Sequence, residues 1–157
     1  IEGGVITAGN ASQITDGASA IMVCNDAGLK KLKADPRAKI KTITVVGDDP
    51  VFMLTGPIPA SKLALKKADL SIDDMDIYEV NEAFAPVPLA WAIELGADKS
   101  KLNVNGGAIA LGHPLGSTGT KLMTTMLHEL ERRNGKYALQ AICEGGGTAN
   151  ATIIERL

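Results

Sequence analysis

The chain has 157 residues, of which 45% are hydrophobic and only 3% aromatic, and its formal net charge is −2. This length suits one domain with an aliphatic core. The near-balance of 16 basic and 18 acidic residues gives no electrostatic footprint for nucleic acid or an anionic membrane surface. No apolar run approaches the ~18 residues of a membrane span. Two cysteines without a CxxC pair form no disulfide framework and predict a reducing compartment, the cytoplasm.

Five short apolar runs predict β-strands, and helical patterns separate them. The predicted strands are Ala18–Cys24, Ile40–Val46, Met75–Val80, Ala138–Cys143 and Ala151–Ile154. The predicted helices cover Asp26–Ala34, a segment that begins at Pro59, Ala85–Leu95 and Thr118–Arg133, and a glycine-rich loop covers Leu102–Gly116. This alternation favours an α/β architecture: a five-stranded mixed sheet, mostly parallel with an antiparallel final hairpin, covered by helices.

His113 lies in the segment Gly-His-Pro-Leu-Gly at 112–116. Gly112 permits an unusual backbone conformation before it, and Pro114 biases His113 itself toward an extended conformation. An imidazole held on such a loop can polarise a carbonyl oxygen or take a proton from a thiol. The sequence pattern is equally compatible with a surface histidine in a turn. His128 lies inside a predicted helix and is expected to be a solvated side chain.

Cys143 ends a predicted strand and is followed by Glu144 and three glycines at 145–147. Consecutive glycines expose backbone N–H groups and leave space for a ligand, as an oxyanion site requires. A thiol in this position can be a nucleophile or a general acid/base if its surroundings tune its pKa. The alternative is a small core residue at a hairpin, and for Cys24, inside an apolar run, that alternative is preferred.

Asn81 follows a predicted strand at the point where a helix is expected to begin. Parallel sheets bind ligands beyond the carboxyl ends of their strands, so this position favours a functional site. The carboxamide can hold a water molecule, or it can simply cap the following helix.

Several other motifs are incomplete. The glycines at 107 and 112 have the spacing of a phosphate-binding loop, but His113-Pro114 stand where Lys and Ser/Thr are required. Two His and two Cys without ligand spacing argue against a zinc site, and no G-x-S-x-G supports a serine hydrolase.

The order of several motifs resembles the C-terminal half of a thiolase, an acetyl-CoA acetyltransferase or 3-ketoacyl-CoA thiolase. The motifs that carry the resemblance are Gly9–Ser12, Asp16–Ala18, Gly56–Ala60, Asn81–Ala85, Asn103–Ala110, Gly112–Pro114 and Cys143. The resemblance runs essentially end to end and implies that residues 1–13 are the tail of an upstream loop and 14–157 the thiolase C-terminal domain. It also implies a fragment or processed product, because the family's nucleophilic cysteine belongs to an N-terminal half that these residues do not contain.

The resemblance assigns roles to individual residues. His113 would activate the nucleophilic cysteine of the other half and, with a water held by Asn81, form one oxyanion hole. Cys143 would be the general acid/base for the acetyl-CoA α-carbon, and the backbone N–H of Gly145 would serve a second oxyanion hole. The positions implied for substrate binding are Ser12 at the pantetheine arm of coenzyme A, and Met53 and Phe84 along the acyl or pantetheine pocket.

The family implies an acyltransferase of lipid metabolism that cleaves 3-ketoacyl-CoA with coenzyme A or runs the reverse Claisen condensation. It needs no metal and no cofactor beyond the coenzyme A thioesters that are its substrates. The resemblance leans toward breakdown of fatty-acid or sterol side chains, and it implies a homodimer or homotetramer once the N-terminal half is present. Two alternatives stay open: a catalytically inactive fragment that only packs against its N-terminal partner half, and a ketoacyl-synthase relative, although that family usually pairs its cysteine with two histidines.

Overall fold

The structure is a computed structural model that describes residues 2–157. Ile1, part of the predicted upstream-loop tail, lies outside the described residues. The elements in chain order are α1 (Asp26–Leu32), β1 (Ala38–Gly47), α2 (Pro57–Ala68), β2 (Ile77–Val80), α3 (Pro86–Leu95), α4 (Ala108–Leu111), α5 (Thr118–Arg133), β3 (Tyr137–Cys143) and β4 (Thr148–Arg156). Short 3₁₀ turns lie at Lys99–Lys101 and Gly145–Gly147.

The sheet has four strands in the order β1-β4-β3-β2 rather than the predicted five. The prediction of a mostly parallel sheet was also wrong, because β2 and β3 are the parallel pair while β4 runs antiparallel to both β1 and β3. The expected final hairpin is present as β3–β4. Helical segments connect β2 to β3, as a parallel pair requires. The carboxyl ends of these two strands therefore lie side by side at one edge of the sheet.

The missing fifth strand is the segment Ala18–Cys24, which has no strand assignment. Its side chains are largely exposed: Ile21 is 36% exposed, Met22 75% and Val23 65%. Cys24 is exposed too, so the expectation of a core cysteine was wrong. The apolar run was interpreted as buried because such runs usually pack, but the described residues contain no strand that pairs with it.

Most other predicted elements are present with shifted ends. The predicted bounds of α5 are those observed, and α1, β1, β2, α3, β3 and β4 differ from their predicted ranges by one to three residues at one or both ends. Helix α2 begins at Pro57 instead of Pro59, because both prolines fit the first turn, where backbone N–H groups have no intrahelical acceptor. The predicted loop at Leu102–Gly116 contains the short helix α4, which the sequence analysis missed.

The sheet separates two layers of apolar side chains. On one face, α2 and α3 pack around Trp91, whose indole N–H donates to Ser61 Oγ at 2.8 Å and whose ring lies 5.3 Å from that of Tyr78. On the other face, Met126 and Leu130 of α5 pack on buried residues of three strands: Ile77, Ala138 and Ile154. The helices thus cover β2 and β3 on both sides and fix their carboxyl ends. None of the helices in residues 2–157 is long and apolar enough to cross a bilayer.

Candidate active site

Asn81 and His113 meet at the carboxyl edge of the parallel pair. Asn81 follows β2 directly, is 1% exposed, and its backbone N–H donates to the carbonyl of Ala141 on β3 at 2.9 Å. Its side-chain Nδ2 lies 3.2 Å from His113 Nε2. The carboxamide is therefore fixed by the sheet and contacts the imidazole, while its Oδ1 is buried without a hydrogen-bond partner.

Thr118, at the start of α5, fixes the tautomer of His113. Its hydroxyl donates to the carbonyl of Pro114 at 3.0 Å, so the same oxygen can only accept from His113 Nδ1, 2.7 Å away. Proton placement on Nδ1 leaves Nε2 with a lone pair, which accepts from Asn81. Burial lowers the pKa of His113 from its ordinary value, and the positive charge of Lys121 lowers it further. The imidazole is therefore neutral at neutral pH, as a base must be.

The loop that carries His113 is held by the N-terminal segment. The backbone N–H of His113 donates to the carbonyl of Gln13 at 3.0 Å, beside a parallel bridge between Ile14 and His113. Gly112 has φ +84°, and a Cβ at this position would lie 2.5 Å from Thr15 Oγ1. Only glycine meets both the backbone angle and the close approach. The glycine that precedes His113 is therefore a geometric requirement of this loop.

Cys143 ends β3 and begins the glycine-rich turn. Burial raises the pKa of its thiol, and the charge of the neighbouring Glu144 raises it further. The Glu144 carboxylate accepts from Asn150 Nδ2 at 2.6 Å and Thr148 Oγ1 at 3.2 Å, which braces the turn. Gly147 has φ +81°, and a Cβ there would lie 2.7 Å from the carbonyl oxygen of Asp48. The thiol is thus protonated at neutral pH and sits on a turn with a fixed shape.

One cavity of about 690 Å³ brings most of the predicted site residues together. Its lining includes His113, Cys143 and Gly145, and the three positions implied for substrate binding: Ser12, Met53 and Phe84. Asn81 is not among the lining residues and reaches the cavity through its contact with His113. A neutral imidazole and a protonated thiol that line the same cavity can act as a base and an acid in one space.

The residues near the cavity mouth come from segments far apart in the chain. The backbone of Ser12 donates to Ala83 at 2.9 Å, and Ala11 and Phe84 form an antiparallel bridge, which ties the N-terminal segment to the turn after β2. Met53 has φ +54°, a left-handed backbone that is uncommon for a side chain of its size. The cavity wall therefore depends on non-local contacts that no single motif specifies.

The sequence analysis missed several residues that build the site. Asn103, with φ +46°, places its Oδ1 and Nδ2 each 2.9 Å from the N–H and carbonyl of Val80, and so pairs with the end of β2 like an added strand. Glu82 accepts from the N–H of Ile109 at 3.0 Å, at the start of α4. Thr118 was assigned only to a helix. Glu82 and Asn103 lie inside motifs that carry the resemblance, and Thr118 lies five residues after His113, which is the one signal that could have drawn attention to them.

No group of three or more His, Cys, Asp or Glu that could hold a metal ion occurs among residues 2–157.

Comparison with known proteins gives consistent results across sequence and structure. A family model described as "Thiolase, C-terminal domain" matches residues 34–156. A steroid 3-ketoacyl-CoA thiolase of Mycobacterium tuberculosis is 62% identical over 157 residues, which is all of this chain and 39% of that protein. The human mitochondrial 3-ketoacyl-CoA thiolase is 53% identical over 152 residues, or 97% of this chain and 38% of that protein.

Solved structures agree with these relatives. The crystal structure of the human mitochondrial 3-ketoacyl-CoA thiolase has a TM-score of 0.89 at 50% identity and covers 96% of this chain and 38% of its own. The Bacillus anthracis acetyl-CoA acetyltransferase has a TM-score of 0.93 at 41% identity, with 97% of this chain and 39% of its own covered. This chain spans about two fifths of the length of these relatives. On the family match, the identities and the shared fold, the chain belongs to the thiolase family.

Proposed function

We propose that this chain supplies the acid/base and oxyanion half of a thiolase that cleaves 3-ketoacyl-CoA with coenzyme A, or runs the reverse condensation. The observation that carries the proposal is the shared cavity, because His113 and Cys143 line the same space of about 690 Å³. Support for the substrate class comes from the relatives, which are named 3-ketoacyl-CoA thiolases, and from a human homologue whose structure is described as a complex with CoA.

The pKa of His113 is lowered and that of Cys143 is raised, which suits a base and an acid respectively. The lowered pKa of His113 keeps it neutral, so Nε2 can take the proton of the nucleophilic cysteine in the other half once its 3.2 Å contact with Asn81 Nδ2 is released. The raised pKa of Cys143 keeps its thiol protonated, so it can protonate the acetyl-CoA enolate that leaves when the C–C bond breaks. The resulting thiolate then accepts the proton of the incoming coenzyme A thiol. Groups whose surroundings push their pKa values apart are the usual acid and base of a site.

The oxyanion positions follow from the same geometry. A water held by Asn81, together with His113, would stabilise the thioester enolate oxygen, and the N–H of Gly145 would serve the acylated cysteine. Removing one such donor typically lowers turnover by ~10²–10³-fold. Ser12, Met53 and Phe84 line the cavity, where we place the pantetheine arm and the acyl chain. Besides the water held by Asn81, coenzyme A and its thioesters are the small molecules that this mechanism uses.

The N-terminal thiolase half is the proposed partner. The segment at 18–24 has no strand partner among residues 2–157, and Ile43 and Val45 on β1 are 55% and 68% exposed. These apolar groups would be covered by the nucleophile-bearing half, which would also complete the cavity. A homodimer or homotetramer of the complete protein remains a prediction, as does a cytoplasmic location.

The alternative is that this chain alone is inactive and only packs against its partner half. The specific observation in its favour is that Cys24 is exposed and does not line the cavity, so Cys143 is the one thiol there among the described residues. We expect no acetoacetyl-CoA thiolysis by the isolated 157-residue chain. Substantial turnover would show that the nucleophile has been misassigned.

The proposed roles are tested in the protein that also carries the nucleophile half. His113→Ala and Cys143→Ala should each lower kcat/KM for thiolysis by ~10²-fold or more, since general acid/base catalysis contributes 10²–10⁴-fold. His128→Ala is the matched control, because it removes an exposed imidazole outside the cavity. Wild-type rates in both cavity variants would overturn the assignment.

A further inference from the structure

Glu79 is a buried acid that the proposed mechanism does not use. It lies in the middle of β2, is 1% exposed, and neither carboxylate oxygen has a hydrogen-bond partner. An ionised carboxylate in such a place lacks both water and a partner, and this is among the least favourable states for a buried group. The carboxyl group is therefore either protonated or paired with a hydrogen-bond donor that residues 2–157 do not provide.

Gln140 offers the acceptor that a protonated Glu79 needs. Glu79 and Gln140 are register partners on the parallel pair β2–β3, so their side chains stand next to each other on the α5 face of the sheet. Gln140 is 3% exposed, and its Oε1 is also buried without a partner. Two unpartnered acceptors side by side repel each other, whereas one added proton makes a donor and an acceptor. A carboxylic O–H at Glu79 pointing to Gln140 Oε1 satisfies both groups.

Glu79 is close in the chain to the contact between Asn81 and His113. Asn81 lies two residues further along the chain, directly after β2, and its Nδ2 contacts His113 Nε2. Lys121 of α5 donates from Nζ to the carbonyl of Gly112, next to His113, at 3.3 Å. Its charge acts on both Glu79 and His113.

The charged groups that act on Glu79 are Lys121 and Glu129, both on α5. Glu129 is itself held by Arg132 and Arg133. Burial raises the pKa of Glu79 to about 8, the Lys121 charge opposes this shift and the Glu129 charge adds to it. An ionised Glu79 would offset the charge of Lys121 and so favour the imidazolium form of His113, which cannot accept a proton.

We propose that Glu79 is a positioning residue held as a neutral acid at neutral pH, with its proton shared with Gln140, so that Lys121 acts on His113 without a counter-charge and the imidazole stays a base. The role for His113 rests on the proposed function. The protonation state of Glu79 does not, and it can be measured without substrate.

Infrared spectroscopy tests the protonation state directly, on the protein that carries both thiolase halves. The difference spectrum between wild type and Glu79→Gln should show a carboxylic-acid C=O band at neutral pH, which disappears as the pH rises through about 8. A spectrum without this band at neutral pH overturns the proposal. Should the variant fail to fold, Glu79→Met, which keeps the chain length and removes both oxygens, takes its place. Should both fail, a carboxylic-acid band that titrates near pH 8 in wild type supports the proposal and its absence overturns it.

The pH profile of kcat/KM tests the link to His113. Because both replacements are uncharged, Glu79→Gln and Glu79→Met should each leave His113 a base at neutral pH, and kcat/KM should change by less than about threefold for Glu79→Gln, whose amide still donates to Gln140. The wild-type profile should show a step near pH 8, where Glu79 ionises, and both variants should lack it. A loss of about tenfold or more in both variants would mean that an ionised carboxylate is required, which overturns the proposal. If the protein catalyses thiolysis but lacks the infrared band, only the inference about Glu79 is wrong. If it shows the band but does not catalyse thiolysis, only the proposed function is wrong.

Discussion

Two regions of the molecule differ in how their apolar side chains are used. Around Trp91, which is 0% exposed, helices α2 and α3 close one face of the sheet completely. Along β1 and the segment at 18–24, side chains of the same chemical kind face solvent, with Val45 68% and Met22 75% exposed. Hydrophobic content alone therefore does not decide burial. The first region is a packed hydrophobic core, while the second is an apolar surface that nothing among the described residues covers.

Truncation of a side chain in the packed core around Trp91 should lower the free energy of unfolding most. Trp91→Ala removes the indole that packs on Tyr78 and donates to Ser61. We expect a loss of about 3–5 kcal/mol in the free energy of unfolding, as is typical for large aromatic side chains in a core, measured by urea denaturation. Trp91→Phe, which keeps a ring but lacks the N–H donor, is the matched control and should cost less. Equal effects of the two substitutions would show that the ring itself contributes little.

The ion-pair cluster at the end of α5 should give the next largest effect. Glu129 is 3% exposed and accepts from Arg132, Arg133 and Asn105, and these hydrogen bonds, with Arg132 contributing most, lower its pKa to about 2. Glu129→Gln should cost about 1.5–3 kcal/mol, the range for hydrogen bonds to a charged group.

The lowered pKa of Glu129 determines how the effect of Glu129→Gln on stability changes with pH. Because the pKa is lower in the folded state, the contribution of Glu129 is fully present above its unfolded value of about 4.3 and is lost as the pH falls through about 2. The difference in stability between wild type and variant should therefore shrink on acidification. A difference that does not change between pH 7 and about pH 2 would contradict the charge-based explanation.

A smaller effect on stability, but a clear one on turnover, is expected at Thr118. Thr118→Val keeps the shape of the side chain and removes the oxygen that fixes His113 Nδ1–H. The loss of the hydrogen bond should cost about 1 kcal/mol. Freed to change tautomer, the imidazole should lose at least ~10-fold of its 10²–10⁴-fold catalytic contribution. Thr118→Ser restores the hydroxyl and serves as the control, so a Ser variant as slow as the Val variant would contradict the assignment.

The difference between the two regions also explains which parts of the structure the sequence could predict. Helix α5 was predicted with its observed bounds because its apolar residues repeat at helical spacing and Asn134-Gly135 provide a stop. Asn81 and Cys143 were predicted as site residues because Asn81 follows a predicted strand and Cys143 ends one, each beside a recognisable motif, and their catalytic roles stay predictions. The prediction of a fifth strand was wrong because burial of the 18–24 segment depends on a partner surface. The periodicity of a sequence carries no information about which surface packs against a segment.

Strand direction and the supporting contacts were harder for the same reason. The positions of β1 and β4 in the chain do not reveal that they pair antiparallel over Ala38–Gly47. Nor does any local pattern reveal that Asn103 clamps the backbone of Val80, or that Glu79 and Gln140 stand in register. These are long-range contacts between segments far apart in the chain, which a single sequence does not encode in its local spacing.

The smallest effect in this chain should come from the exposed region, and the same substitutions should have a larger effect in the protein that carries both halves. In this chain alone, Ile43→Ala and Met22→Ala should each change the free energy of unfolding by less than about 0.5 kcal/mol, as is usual for surface positions. In the protein that carries the nucleophile half, the same truncations should cost about 2–5 kcal/mol if the other half buries these side chains. Lys39→Ala, on the same strand but with a charged side chain at an exposed position, is the control and should have little effect in either protein. Equally small effects of all three substitutions in both proteins would mean that the other half does not pack on this face, because burial of an aliphatic side chain cannot occur without a corresponding cost when that side chain is removed.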